Sequence, residues 1–206
     1  MASILPNGIS RGRYSIIHKT LTEEFVRAEK SRAIWSHSGW LVRDLEAGTY
    51  ASLVENNRYG GELWMSDTWM ERFTNASFLQ MASGHVVVAG LGIGMLPIAL
   101  CQKNEVLSVT VIELEPDIIQ LVKPYIEPHC RGKLQIICGD AVVPPFQIIR
   151  KSKLFDCAYL DIWPTICSDN WEMMKSMLRT YRKLAGHIDA WMREYVQEEA
   201  RRDRRM

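Results

Sequence analysis

At 206 residues the chain has room for one α/β domain with a sizeable core, or for such a core with a small appendage. Apolar residues at 47% and charged ones at 24% are ordinary for a globular protein, and a formal net charge of +1 selects neither nucleic acid nor an acidic membrane surface as partner. Five cysteines (Cys101, Cys130, Cys138, Cys157, Cys167), scattered and never spaced as CxxC, exclude a disulfide framework and a zinc site, and no apolar run approaches the roughly 20 residues that cross a bilayer.

In chain order, residues up to Ile17 carry little pattern beyond turn chemistry at Pro6-Asn7-Gly8 and Arg11-Gly12. The N-terminus lacks a basic segment followed by an apolar stretch, so no secretory leader is expected and the chain reads as soluble and cytoplasmic. A polar helix is predicted over 22–31, with Thr22 as N-cap and Glu23 and Glu24 in its first turn. Short strands are expected at 40–45, 50–55 and 62–66, separated by Ala47-Gly48 and by the stretch from Asn56-Asn57 to Gly60-Gly61, which has hairpin chemistry. Residues 67–81 read as a helix packing through Trp69, Phe73, Phe78 and Leu79. Residues 1–82 therefore form a first region of helix and β-hairpin.

From 83 to 206 the texture changes. Apolar strands at 86–89, 108–113, 134–138 and 155–161 alternate with helical segments at 95–103, 116–126 and 141–149. That alternation predicts βαβ units and a doubly wound, mostly parallel sheet with helices on both faces. Cys138 and Cys157 fall in these strands and are expected to be buried as small hydrophobes. Beyond Asp161, two series recur at helical spacing: Trp171, Met174, Leu178, Tyr181 and Leu184, then Ile188, Trp191, Met192, Tyr195 and Val196. Gly186 is placed between them as a helix end. The sheet is thus expected to stop after its fourth strand. Its open edges predict a homo-oligomer, or cover from the N-terminal β region. The arginines of 201–205 read as a solvated helix end, a weak phosphate footprint that disfavours nucleic acid without ruling it out.

Four elements fall at strand carboxyl ends, where open α/β sheets bind ligands. They are Gly90-Leu91-Gly92-Ile93-Gly94, Glu113 in Val111-Ile112-Glu113-Leu114-Glu115, Gly139-Asp140-Ala141, and Asp161 in Tyr159-Leu160-Asp161-Ile162-Trp163-Pro164. Glycines let a ligand lie against backbone, a carboxylate at Glu113 can accept two ribose hydroxyls, and Asp140 can accept from an exocyclic amine. Each has a plainer reading: Glu113 as a solvated strand-end acid, Glu115 as a helix N-terminal acid, Asp140 as an N-cap, and Trp163 as a loop anchor. The five histidines share no ligand spacing, so no metal ligand is nominated. A nicotinamide site would want a third glycine where Met95 stands.

The order of these motifs resembles the class I S-adenosylmethionine-dependent methyltransferases, and within them the spermidine-synthase-like branch. That branch has a glycine turn, an acidic pair after the second strand, Gly-Asp-Ala after the third, and a small N-terminal β region. The resemblance spans roughly residues 61–184 and implies a Rossmann-like fold that binds S-adenosylmethionine. It implies contacts from Gly90, Leu91, Gly92 and Gly94, from Glu113 and Leu114 at the ribose, and from Asp140 and Ala141 at adenine. It further places Asp161 as the catalytic acid, with Trp163 beside it on the acceptor, which is a small molecule or otherwise unidentified. Two departures stand out: Ile93 where the polyamine synthases carry an acid, and no second acid in Asp161-Ile162-Trp163-Pro164. The expected activity is therefore methyl transfer. The alternatives are an aminopropyl-transferring polyamine synthase-like enzyme, or a catalytically reduced S-adenosylmethionine-binding interaction protein.

Overall fold

A computed structural model describes residues 1–33, 39, 42–58, 60–144 and 155–204. It contains two sheets. The first is antiparallel, in the order β1-β2-β3-β4: β1 (Ile9–Arg11), β2 (Tyr14–Leu21), β3 (Gly48–Asn57) and β4 (Gly60–Ser66). Helix α1 (Glu23–Ala33) sits between β2 and β3, and the Thr22 hydroxyl accepts from the Phe25 amide at 3.2 Å, the N-cap expected of it. The first two strands have no counterpart among the expected elements. They form because Tyr14 and Ile16, both 0% exposed, share one face of β2 while β2 pairs along its whole length with β3 and β1 pairs with β2. The strand expected at 40–45 is absent where it can be judged: residues 42–44 form a turn, and 40 and 41 lie outside the described residues.

Helix α2 (Trp69–Met81) leads into the second sheet, which is wholly parallel. Its strands are β5 (Gly84–Ala89), β6 (Val106–Glu113), β7 (Leu134–Cys138), β8 (Phe155–Leu160) and β9 (Ala185–Ala190), ordered β7-β6-β5-β8-β9. Helices α3 (Met95–Gln102), α4 (Pro116–Ile126), α5 (Asn170–Tyr181) and α6 (Arg193–Asp203) cover it. Alternate residues of β5 serve opposite faces. Val86 and Val88 join a core with Leu96, Leu100, Ile118 and Val122, and Val87 and Ala89 join one with Trp171, Met174, Leu178 and Tyr181. The doubly wound α/β expectation thus holds, with Tyr14, Ile16 and Leu53 of the antiparallel sheet sharing the first of these cores.

The stopping point of the sheet is corrected. A fifth strand, β9, pairs in parallel with β8, so the sheet extends one strand past the expected end. Ala185-Gly186-His187-Ile188-Asp189-Ala190 has no apolar run because it is an edge strand, with only its two terminal alanines buried. Gly186 lies inside this strand rather than at a helix end, and the helical series beginning at Ile188 is broken by Met192, whose φ is +51°. The N-terminal sheet pairs with neither edge of the parallel sheet. Of the helix expected at 141–149, residues 141–143 form a bend and 145–149 lie outside the described residues. Cys157 is buried as expected, whereas Cys138, at the end of an edge strand, is exposed. No helix among the described residues is long and apolar enough to cross a membrane.

This strand order puts the topological switch point between β5 and β8, where the chain, having run outward through β6 and β7, returns to the centre. The glycine turn and Asp161 leave the sheet on either side of that point. Pairing continues past the strand ends, with the Asp161 amide donating to Ala89 O at 2.9 Å and Gly90 N to Ile112 O at 2.8 Å.

Candidate active site

A cleft of about 440 Å³ opens at the carboxyl ends of β5, β6, β7 and β8. It is of the size of small-ligand sites. Gly90, Leu91, Gly92, Glu113, Leu114, Asp140, Ala141, Asp161 and Trp163 all line it, so the structure gathers nine of the ten expected residues into one space. Gly94 is the exception: it is the N-cap of α3, with φ +77°, and a Cβ there would stand 2.7 Å from Ile126 Cδ1. Its role is to let α3 pack on α4.

The glycines of the turn answer first to the protein itself. Gly90 has φ +97°, and a Cβ on it would lie 2.0 Å from the carbonyl oxygen of Asp161. At Gly92, with φ +51°, a Cβ would lie 2.2 Å from Met65 Sδ, and that thioether accepts the Ile93 amide at 3.4 Å. Left-handed backbone and close approach therefore coincide at both positions.

Glu113 is 7% exposed, which overturns its plainer reading as a solvated acid. Its Oε2 accepts from Leu91 N at 2.8 Å and its Oε1 from Glu115 N at 2.9 Å. The side chain thereby staples the glycine turn to the loop that opens α4. Burial pushes its carboxyl above the usual range, and hydrogen bonds from the backbone amides of Glu115, Leu91 and Leu114 oppose that shift. Glu115 does more than face the helix dipole, since Oε1 takes an ion pair from Arg13 at 2.8 Å. Asp140 is exposed, and its Oδ1 accepts from Val142 N at 2.8 Å, an Asx-type bend that holds the Ala141 backbone. Tyr181 Oη donates to Ala141 O at 3.0 Å from below.

At the other end of the cleft Asp161 is partly buried, and loss of water pushes its carboxyl up to about 7. Facing it is a residue absent from the expected set. Glu71 of α2 is 7% exposed and lines the same cleft; burial, with the charge of Asp161 adding to it, pushes its carboxyl up to about 8. The signal was periodic: Glu71, Asn75 and Phe78 recur on one helical face and are the buried residues of α2, whereas Phe73, expected to pack, is 48% exposed. Trp163 is 8% exposed and its indole N–H has no acceptor among the described residues. Trp64 and Trp191 also line the cleft, and among the described residues its charged lining side chains are acids: Glu71, Glu113, Glu115, Asp140 and Asp161.

No protein-family model and no curated protein matches the chain. Solved structures similar to it include the methyltransferase domain of a bacterial Hen1, at 12% identity and TM-score 0.44 over 58% of this chain and 63% of that one. A dimethyladenosine transferase from Plasmodium falciparum is 20% identical, with TM-score 0.41 over 55% and 37%. The [4+2]-cyclase SpnF is 17% identical, with TM-score 0.42 over 56% and 41%. The chain thus spans less than two thirds of each. At such identities and scores these likenesses assign no reaction to the chain.

Proposed function

We propose that the chain is an S-adenosylmethionine-dependent transferase, specifically a methyltransferase, acting on an acceptor bound at the Asp161 end of the cleft. The observation that supports this most is the convergence, in one cleft at the switch point, of the glycine turn, Glu113, Asp140 and Asp161 in that chain order. The donor set suits the group. Glu113 Oε2 accepts from the Leu91 amide and Oε1 from the Glu115 amide, and a carboxylate with about four acceptor sites keeps capacity for ribose hydroxyls beside its backbone donors. Among the described residues Asp140 engages its own loop through Oδ1, and Oδ2 is the acceptor offered to an exocyclic amine.

When bound, S-adenosylmethionine supplies a methyl group on a cationic sulfur. The chain's own residues do the rest. The backbone of 90–92, held by Glu113, forms one wall, while Asp161 orients the acceptor and takes its proton. Trp163 offers a flat surface for a planar or cationic acceptor. Aminopropyl transfer is disfavoured by Ile93, which is 0% exposed and packs in the core, so that the position where a polyamine synthase would carry an acid is committed to apolar packing.

Calorimetry with S-adenosylmethionine, S-adenosylhomocysteine and methylthioadenosine tests the reading, with Glu113→Ala as control. Micromolar binding that Glu113→Ala weakens at least about tenfold is expected. Absence of binding by all three would sink the proposal. Binding without turnover on amines, peptides or nucleic acid would leave a cofactor-binding interaction protein.

A further inference from the structure

We propose that Cys101 and Cys130 form a redox site, two buried thiols that a hydroperoxide closes into one disulfide, tying α3 to the segment that ends α4. Neither cysteine lines the cleft, and the proposal does not depend on what the cleft binds.

Spacing hides the pair, because a whole βα unit lies between the two residues: β6 with Glu113, then α4. The fold brings them to one corner. Cys101 stands in the last turn of α3, and Cys130 follows a short 3-10 turn, Glu127–His129, that continues α4. The residue after Cys101 is bonded to both neighbours of Cys130. Gln102 Nε2 donates to His129 O at 2.5 Å, and Arg131 Nη1 donates to Gln102 O at 3.3 Å. Lys133 Nζ closes the corner from beyond, donating to the carbonyls of Lys103 and Val106 at 2.7 Å each. Both cysteines belong to the same apolar core, at 0% and 1% exposure. Their thiols are in contact, and each is the largest influence on the ionisation of the other.

That contact gives the two sulfurs different parts. The Cys101 thiol is pushed up, first by its hydrogen bond with Cys130 and then by burial. The Cys130 thiol is lowered by the same bond, against burial and the charge of Glu127. Cys130 is therefore the nucleophile and Cys101 the resolving thiol. Cys130 sulfur attacks one oxygen of a hydroperoxide ROOH: an S–O bond forms, the O–O bond breaks, and the departing ROH carries off the Cys130 proton. Cys101 sulfur then attacks the Cys130 sulfenic acid. The S–S bond forms, the S–O bond breaks, and the Cys101 proton leaves with the hydroxyl as water. Two thiols and one hydroperoxide thus give one disulfide, one alcohol and one water, with two electrons passing from sulfur to peroxide oxygen.

The corner also provides the way in. Pro128, His129, Arg131 and Gly132 are exposed, and Arg131 holds a left-handed φ of +52°. Cys130 lies directly under this strained surface turn, the kind of segment that opens without unfolding the domain. What the bond does follows from Ile126. Reduced Cys130 donates through Sγ to Ile126 O at 3.2 Å, and Ile126 Cδ1 is the atom that a Cβ on Gly94 would meet. A disulfide has no S–H, so oxidation removes that donor and puts a covalent tie in its place. Helix α3 is then held to the α4 segment at both ends, by Gly94 on Ile126 and by the new bond at Cys101.

The test starts from the chain carrying Cys138→Ser and Cys167→Ser, which removes the exposed and the half-buried thiol and with them linkage between chains. Hydrogen peroxide should lower its intact mass by two hydrogens and join the peptides of Cys101 and Cys130, and dithiothreitol should reverse both. The oxidised chain should unfold at a higher urea concentration than the reduced one, since the bond closes a long loop in the unfolded state. Adding Cys101→Ala should stop the reaction at a Cys130 sulfenic acid that dimedone traps, and adding Cys130→Ala should give at least about tenfold less adduct at Cys101. The mass and peptide readings need neither alanine variant, so they stand even where a variant folds poorly. No disulfide once peroxide has oxidised the methionines, or one that joins Cys157 instead, would overturn the site. Equal dimedone adducts in the two variants would overturn the assignment of nucleophile and resolving thiol.

Discussion

The carbonyl oxygen of Asp161 stands 2.0 Å from the point a Cβ on Gly90 would occupy. The first glycine of the turn and the acid of the fourth strand end are therefore one packing unit, joined further by the Asp161 amide donating to Ala89 O at 2.9 Å. Gly90→Ala must then pay twice, for a left-handed backbone at φ +97° and for a clash with rigid backbone. Gly132→Ala is the matched control, since it shares a positive φ of +71° but would meet nothing within 4 Å. Urea unfolding should show Gly90→Ala about 1–3 kcal/mol less stable than Gly132→Ala. A gap below about 0.5 kcal/mol would mean that the strand ends part easily.

How far the sequence foretold this arrangement depends on where each residue gets its environment. The strand–turn–helix around 86–102 was legible because continuous apolar runs and glycine spacing are local properties, and the same holds for Glu113, Asp140 and Asp161 at strand ends. β9 was not, because an edge strand need be buried at only a few positions, and Ala185 and Ala190 are too few to form a pattern. β2 was missed for a related reason: its partner β3 lies some thirty residues on, past α1, and that pairing supplies what local pattern does not, while the three-residue β1 exists only by pairing with β2. Glu71 was hidden by its type. A glutamate on a helix reads as solvent-facing until the docking of Phe78 and Thr74 turns its face inward.

Glu113→Gln keeps the shape of the side chain but replaces an acceptor oxygen with a donor nitrogen. One of the two amides, Leu91 N or Glu115 N, must then face an NH2 group inside a buried site. The expected cost is about 1–3 kcal/mol of stability, with faster hydrogen exchange at Leu91 and Glu115. If exchange at both amides is unchanged, the staple between turn and α4 is not what holds them.

Lys103→Met tests the anchoring of α2 at its far end. The ammonium satisfies three carbonyls at the helix terminus, where the macrodipole is negative, and methionine keeps the apolar stem while removing every donor. Charged hydrogen bonds of this kind are worth about 1.5–3 kcal/mol, so a loss of about 2 kcal/mol in chemical denaturation is expected. Because Glu71 lies at the opposite end of α2, its carboxyl midpoint should stay at about 8, which separates loss of stability from loss of the site.

The pH dependence of stability carries the sign of the buried pair. Burial raises Glu71 from 4.5 to about 8 and Asp161 from 3.8 to about 7, so between those limits the folded chain holds more protons than the unfolded one. With ν_N greater than ν_U the slope of unfolding free energy against pH is negative. Stability contributed by these groups is whole below about pH 4, falls as pH rises toward 8 and is level above it. Each group contributes at most about 1.4 kcal/mol per pH unit inside its own window. Glu71→Gln removes one of the two ionisations, so urea midpoints from pH 5 to 8 should fall less steeply than in the parent chain, and the variant should be the more stable of the two at pH 8. A parent chain whose midpoint rises over that interval, or a variant with an unchanged slope, would show that Glu71 titrates as an ordinary solvated acid and is not held neutral beside Asp161.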